Sequence, residues 1–166
     1  MIRGFMLMVV MGGMTMAWAS DQAHETAAAP RVFTAEQARA GKIAYESSCG
    51  LCHQPNMHGR TGEPDELPAI NSLPENMIKT IDQNGGQVPP LVGPRFMAHW
   101  GAKSTKEYVA RVANAMGAFP PRNTGPDTSV QLTAYFLQAN GGKPGKIPLS
   151  ADSAATLNAV TGRSAQ

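Results

Sequence analysis

Cys49-Gly50-Leu51-Cys52-His53 holds the only two cysteines of the chain, and four chemistries compete for the pair: a disulfide, a redox dithiol, a metal site, or the attachment point of a covalent group. A disulfide across two intervening residues closes so short a loop that it constrains the unfolded chain least, and it gives His53 no role. A dithiol oxidoreductase sets its CxxC after a strand and at the start of a helix. Here the pair follows a helical stretch, with no βαβ pattern around it. Structural zinc takes four protein ligands, and the chain offers two thiols. The fourth reading uses all three residues, because in C-x-x-C-H the two thiols add across haem vinyl groups as thioethers and the adjacent imidazole lies beneath the iron. His53 then gives Nε2 to the metal while a backbone carbonyl holds Nδ1–H and fixes the tautomer. The motif therefore predicts one covalently attached haem c on Cys49 and Cys52, with His53 as an iron ligand.

Upstream, Arg3 precedes an apolar run over residues 4–16, and Ala17-Trp18-Ala19 supplies the small-x-small pattern of a signal-peptidase site. Residues 1–19 read as a cleaved export signal, which predicts a periplasmic protein in a compartment where such cofactors are attached. An uncleaved anchor is the alternative, but a span takes about 20 apolar residues, and this run is shorter and interrupted by Gly12, Gly13 and Thr15. No membrane insertion is expected after cleavage. Removing 19 of 166 residues leaves 147, room for one domain, and takes away one charge, lowering the net charge from +2 to +1. That balance argues against nucleic acid and anionic membranes as partners. With 6% aromatic residues, 17 Gly and 13 Pro, the core is small and calls for a staple or a cofactor.

Downstream, residues 20–33 show no periodicity and read as a mobile tail. Thr34 and Gln37 form a capping box, behind which Ala38, Gly41 and Tyr45 recur at helical spacing; a first helix is expected over residues 35–48, ending at the CxxCH stretch. Residues 54–73 read as loop. A short second helix is expected between the Ser72/Glu75 box and Gly85-Gly86, with Pro74 in its first turn and Leu73, Met77, Ile78 and Ile81 as its stripe. The prolines at 88–94 exclude helix and central strand. Ser104 and Glu107 cap a third helix through Met116, carrying Tyr108 and Val112 on one face. A fourth begins near Thr128, buries Val130, Leu132, Tyr135 and Phe136, and closes at Gly141-Gly142. The expected fold is all-α, four to five short helices joined by long Pro/Gly-rich loops around one apolar cofactor. Ordering each residue costs on the order of 1–2 kcal/mol, which so little helix packing does not offset by itself.

Electron-transfer iron takes a second axial ligand, and a thioether raises the potential. Signal cleavage removes six of the ten methionines. Of the four that remain, Met57 lies on the side of the iron His53 already occupies, and Met77 belongs to the helix stripe. Met97 lies in a plausible loop, PRFMAHW. Met116, where a helix opens into a proline-rich loop, is the leading metal ligand. Met97, bis-histidine through His58 or His99, and an open site stay as alternatives.

Three stretches, TAEQARAGKIAYESSCGLCH (34–53), PPLVGPRFMAHWGAKSTKEYVARVANAM (89–116) and LTAYFLQANGGKPG (132–145), together resemble a class I c-type cytochrome. More narrowly, they are similar to the monohaem cytochrome c domains and subunits associated with periplasmic quinoprotein (PQQ-dependent) alcohol dehydrogenases. The resemblance covers residues 33–149. It implies a cytochrome c domain over residues 34–149, followed by a C-terminal extension at 150–166. It also implies that the Pro89 carbonyl accepts from His53 Nδ1, that Leu91 lies against the haem, that Trp100 approaches a propionate, and that Gly41 and Tyr45 cross Tyr135. Two departures stand out. Gly117-Ala118-Phe119 intervene between Met116 and the proline that family members place next, and residues 54–88 are longer than a plain member needs.

The function these readings imply is a single-electron carrier rather than an enzyme, taking electrons from a periplasmic dehydrogenase and passing them to a respiratory-chain acceptor. The rival classes are a haem enzyme or sensor with an open sixth position, and a dedicated haem subunit of a larger oxidoreductase.

Overall fold

Thr34 opens the first helix as its sequence requires: its hydroxyl accepts from the Gln37 amide and the Gln37 side chain accepts from the Thr34 amide, both at 3.2 Å. The computed structural model describes residues 28–63, 65–114 and 125–163. The expected leader, residues 20–27 of the tail and Met116 lie outside them. Helix α1 spans Ala35–Ala44, continues through one widened π-type turn at Tyr45–Cys49, and runs on as α2, Gly50–His53. The remaining α-helices among the described residues are α3 (Glu75–Gln83), α4 (Gly93–Trp100), α5 (Thr105–Asn114), α6 (Pro126–Ala139) and α7 (Leu157–Thr161), with one 3-10 turn at Ile70–Ser72. Among the described residues β pairing is confined to three isolated bridges. The architecture is all-α.

Helices α1 and α6 make the largest helix contact, and Gly41 is the reason they approach so closely. A Cβ there would lie 1.9 Å from the Gln131 carbonyl oxygen and 2.9 Å from the Leu132 nitrogen. One turn on, the Tyr45 ring meets Tyr135 at 5.6 Å and Phe136 edge-on at 5.9 Å between centroids. Such aromatic contacts add about 0.5–1.5 kcal/mol each beyond area burial.

Several local expectations give way to tertiary context. The first helix does not stop at residue 48 but carries the whole CxxCH motif to His53. The prolines at 89–94 do not exclude helix from PRFMAHW, because Pro94 sits in the first turn of α4, where its missing N–H removes no helical bond. Ser72 does not cap α3: its hydroxyl turns back to the Ala69 carbonyl at 2.7 Å and Pro74 is the N-cap residue. Phe33, assigned to the tail, is fully buried. In the C-terminal extension, α7 buries Leu157 and Val160, and the Thr105 amide donates to the Ala155 carbonyl at 2.8 Å. Helices α4 and α7 bring the number beyond the four to five expected.

The apolar residues form two clusters rather than one. The larger gathers Phe33, Tyr45, Phe96, Tyr108, Phe136 and Leu157 with their neighbours. The smaller joins Leu73, Ile81 and Val88, with Leu51, Cys52, Ile70, Met77 and Ile78 against it. At α5 the Ser104–Glu107 box forms as read, with the Glu107 amide donating to Ser104 Oγ at 3.2 Å and Glu107 Oε2 accepting from the Ser104 amide at 2.9 Å. Ser104→Ala should lower stability by about 1 kcal/mol in urea titration with an unchanged slope.

Candidate functional site

The turn that carries the motif is irregular for a local reason. Ser47 and Ser48 both return their hydroxyls to the Ala44 carbonyl, which competes with regular helical pairing and widens the turn. Such π-type turns concentrate at functional sites. After His53 the chain leaves the helix at Gln54, whose φ is 65°, and the buried Tyr45 hydroxyl donates to the Gln54 carbonyl. Cys49, Cys52 and His53, at helical positions i, i+3 and i+4, therefore share one face.

His53 Nδ1 lies 2.9 Å from the Pro89 carbonyl oxygen. That carbonyl is placed by a close crossing of two loops. Gly59, at φ 74°, passes the Val88–Pro89 backbone so tightly that a Cβ would meet the Val88 oxygen at 2.2 Å. On either side, Arg60 and Val88 exchange amide hydrogen bonds of 2.8 and 3.1 Å, and the Leu91 amide donates to the Met57 carbonyl at 2.8 Å. Asn140 holds the following segment from the α6 side, donating to the Leu91 carbonyl and accepting from the Gly93 amide, each at 3.0 Å. Burial pushes the His53 imidazole below its ordinary value, more than the hydrogen bond to Pro89 raises it. A carbonyl only accepts, so the neutral ring carries its proton on Nδ1 and keeps the Nε2 lone pair for a metal.

A cleft of about 1090 Å³ opens beside this face. It runs between the two apolar clusters, with Phe96, Leu132 and Phe136 on one wall and Met77, Ile81 and Val88 on the other. Its charged lining is wholly cationic: Arg60, Arg95 and Arg111 face it and no carboxylate does, among the described residues. Cys49, Cys52, His53, Pro89, Leu91 and Trp100 all line it. The Trp100 indole packs edge-on against Tyr108 at 4.9 Å, and burial pushes the Tyr108 phenol far up. Gly41, Tyr45 and Tyr135 meet behind it at the α1/α6 crossing.

Both cysteines are free thiols, half-buried, and burial pushes both up. Catalytic dithiols instead have depressed values at helix N-termini, so neither position nor electrostatics suits a redox dithiol. No group of three or more His, Cys, Asp or Glu side chains gathers among the described residues.

Of the sixth-ligand candidates, Met116 lies outside the described residues. Met97 is not in a loop but on α4, 6% exposed within the larger cluster, and it does not line the cleft. His58 is exposed and does not line the cleft; His99 is exposed at its rim; Met77 lines it from α3. Sequence reasoning missed Arg60 and Asn140. Asn140 carried a signal, an amide side chain next to the glycine pair that closes α6. Arg60 carried none, because nothing local marks a loop arginine for burial. No family model, curated protein or solved structure matches the chain.

Proposed function

We propose that this chain is a periplasmic monohaem c-type cytochrome of class I fold that carries single electrons. A periplasmic, quinoprotein-type dehydrogenase is the proposed donor and a respiratory-chain component the acceptor. One observation carries the reading: two thiols and an imidazole whose Nδ1 is engaged by Pro89 share one wall of a large apolar cleft with a cationic lining. The fit to haem c is chemical at each point. Thiols three residues apart suit two thioether bonds, a neutral imidazole with free Nε2 suits iron, apolar walls suit the macrocycle, and the exposed guanidinium groups of Arg95 and Arg111 suit its carboxylates. At about 1090 Å³ the space exceeds the usual 300–1,000 Å³ of small-ligand sites.

Haem supplies the one-electron couple; the chain supplies everything that tunes and insulates it. Cys49 and Cys52 would hold the group. Pro89 fixes the tautomer and orientation of His53 and raises its basicity as a ligand. Leu91, Phe96 and Phe136 exclude water, and Trp100 presents its indole to the cleft. Met116 would be the second iron ligand, a thioether. No helix among the described residues is long and apolar enough to cross a membrane.

The ligand assignment is tested by two variants. Met116→Ala should lower the reduction potential and let the reduced protein bind carbon monoxide at neutral pH, which the unaltered protein should refuse. Met97→Ala should cost about 2–5 kcal/mol of stability as a core truncation and leave potential and gas refusal unchanged. If Met97→Ala opens the iron and Met116→Ala does not, the ligand is Met97. Ready gas binding by the unaltered protein would favour the enzyme or sensor class over the carrier.

A further inference from the structure

Arg60 sits in the cleft wall with its side chain 0% exposed. One nitrogen, Nη2, donates to the carbonyls of Leu51, the residue between the two cysteines, and of Pro68. The other two, Nε and Nη1, have no hydrogen-bond partner. The nearest negative charge is Glu66, whose Oε2 lies 3.9 Å from Nη1, beyond hydrogen-bond reach. Glu66 Oε1 is already committed, accepting from the Thr61 amide at 2.6 Å and the Thr61 hydroxyl at 2.9 Å. Burial alone would raise the Glu66 carboxyl, but these bonds, the Gly62 amide and the Arg60 charge together hold it below its usual value. It is therefore an anion whose Oε1 is taken up by Thr61, while the buried Oε2, also without a hydrogen-bond partner, stops 3.9 Å short of Nη1 and compensates the guanidinium only through space. The other charged cleft groups, Arg95 and Arg111, are exposed at the rim.

From this arrangement, and resting on the haem reading above, we propose that Arg60 is a fixed, under-compensated positive charge that holds the iron of the cleft towards its reduced state. A guanidinium is a permanent cation in proteins. Oxidation adds one positive charge to the iron, so a buried cation in the same wall opposes it. At an effective dielectric of about 20, unit charges about 10 Å apart shift a one-electron equilibrium by roughly tenfold. Arg95 and Arg111, in water, contribute less, and salt screens them. Arg60 is placed for this role by the Gly59 crossing and the Arg60–Val88 bridge, so the segment at 61–88 both buries the charge and covers the Cys52 side of the cleft.

The test is a spectroelectrochemical titration of the mature holoprotein and of its Arg60→Gln and Glu66→Gln variants, each first weighed intact. Arg60→Gln should lower the equilibrium constant for reduction about tenfold, ~59 mV for one electron, and the shift should persist in about 1 M salt. Glu66→Gln removes the counter-charge, which is partly exposed where Arg60 is not, and should raise the constant, by less than about tenfold because solvent screens it more. Opposite signs are the signature of charge. If Arg60 acted merely as a staple for the 61–88 segment, both variants would loosen it, admit water and move the potential downward together; that result, or no shift in either, overturns the proposal. Should Arg60→Gln fail to fold, the sign of Glu66→Gln decides. A mature protein without covalent haem would fail at the weighing step, which separates collapse of the haem reading from collapse of this one.

Discussion

A Cys49→Ser, Cys52→Ser double variant should lose the proposed covalent haem entirely and, with it, a cooperative fold. The two apolar clusters face each other across a cleft of about 1090 Å³, and no side chain of the described structure fills it. The apolar walls of such a cleft gain stability only when something apolar covers them, and a domain this small has little other core to hold its two clusters together. The smaller cluster, built on α3 and the 61–88 loops, has little apolar area of its own and should detach first. Far-UV circular dichroism should retain helix from α1, α5 and α6, while near-UV signal and the sigmoidal urea transition are lost. A double variant that unfolds as sharply as the parent would show that the two clusters cohere without anything between them. Cys52→Ser alone should leave at most one thioether.

The second large effect belongs to the α1/α6 crossing. Gly41→Ala places a β-carbon 1.9 Å from a backbone oxygen, and a backbone atom, unlike the end of a flexible side chain, moves only if a whole helix moves. Overpacking of this kind costs about 3 kcal/mol or more, which outweighs the gain of under 1 kcal/mol from replacing glycine by alanine in a helix. The helices must separate, and the Tyr45–Tyr135 and Tyr45–Phe136 ring contacts one turn away loosen with them. The chemical-denaturation midpoint should fall markedly. An unchanged midpoint would mean that α1 is not docked through Gly41.

What the sequence made legible was whatever its chemistry writes locally. The Thr34–Gln37 and Ser104–Glu107 boxes, and the glycine pair after α6, announce helix ends through side chains three residues apart, and the structure places the ends there. The Cys49/Cys52/His53 spacing is local as well. Elements decided by distant partners were not legible. Pro94 looks like a helix breaker until Val92 and Asn140 fix the chain so that proline falls in the first turn of α4. Ser72 looks like a cap until the Ala69 carbonyl claims its hydroxyl. The helix runs past residue 48 because the serine hydroxyls permit a widened turn and Tyr45 reaches the Gln54 carbonyl, neither of which a periodicity count registers. Arg60 is buried by a loop that returns from Val88, twenty-eight positions later in the chain, so its role had to wait for the fold. The Pro89 carbonyl is a middle case: a resemblance named it, and the Gly59 crossing supplies the physical means that set it 2.9 Å from His53.

The most direct measurement is the intact mass, under denaturing conditions, of the mature protein made in a cell able to attach haem c. The account predicts a species heavier than the processed polypeptide by one haem, its visible absorption travelling with the chain through acid and organic solvent. A species that weighs no more than the polypeptide, colourless after denaturation, would contradict it.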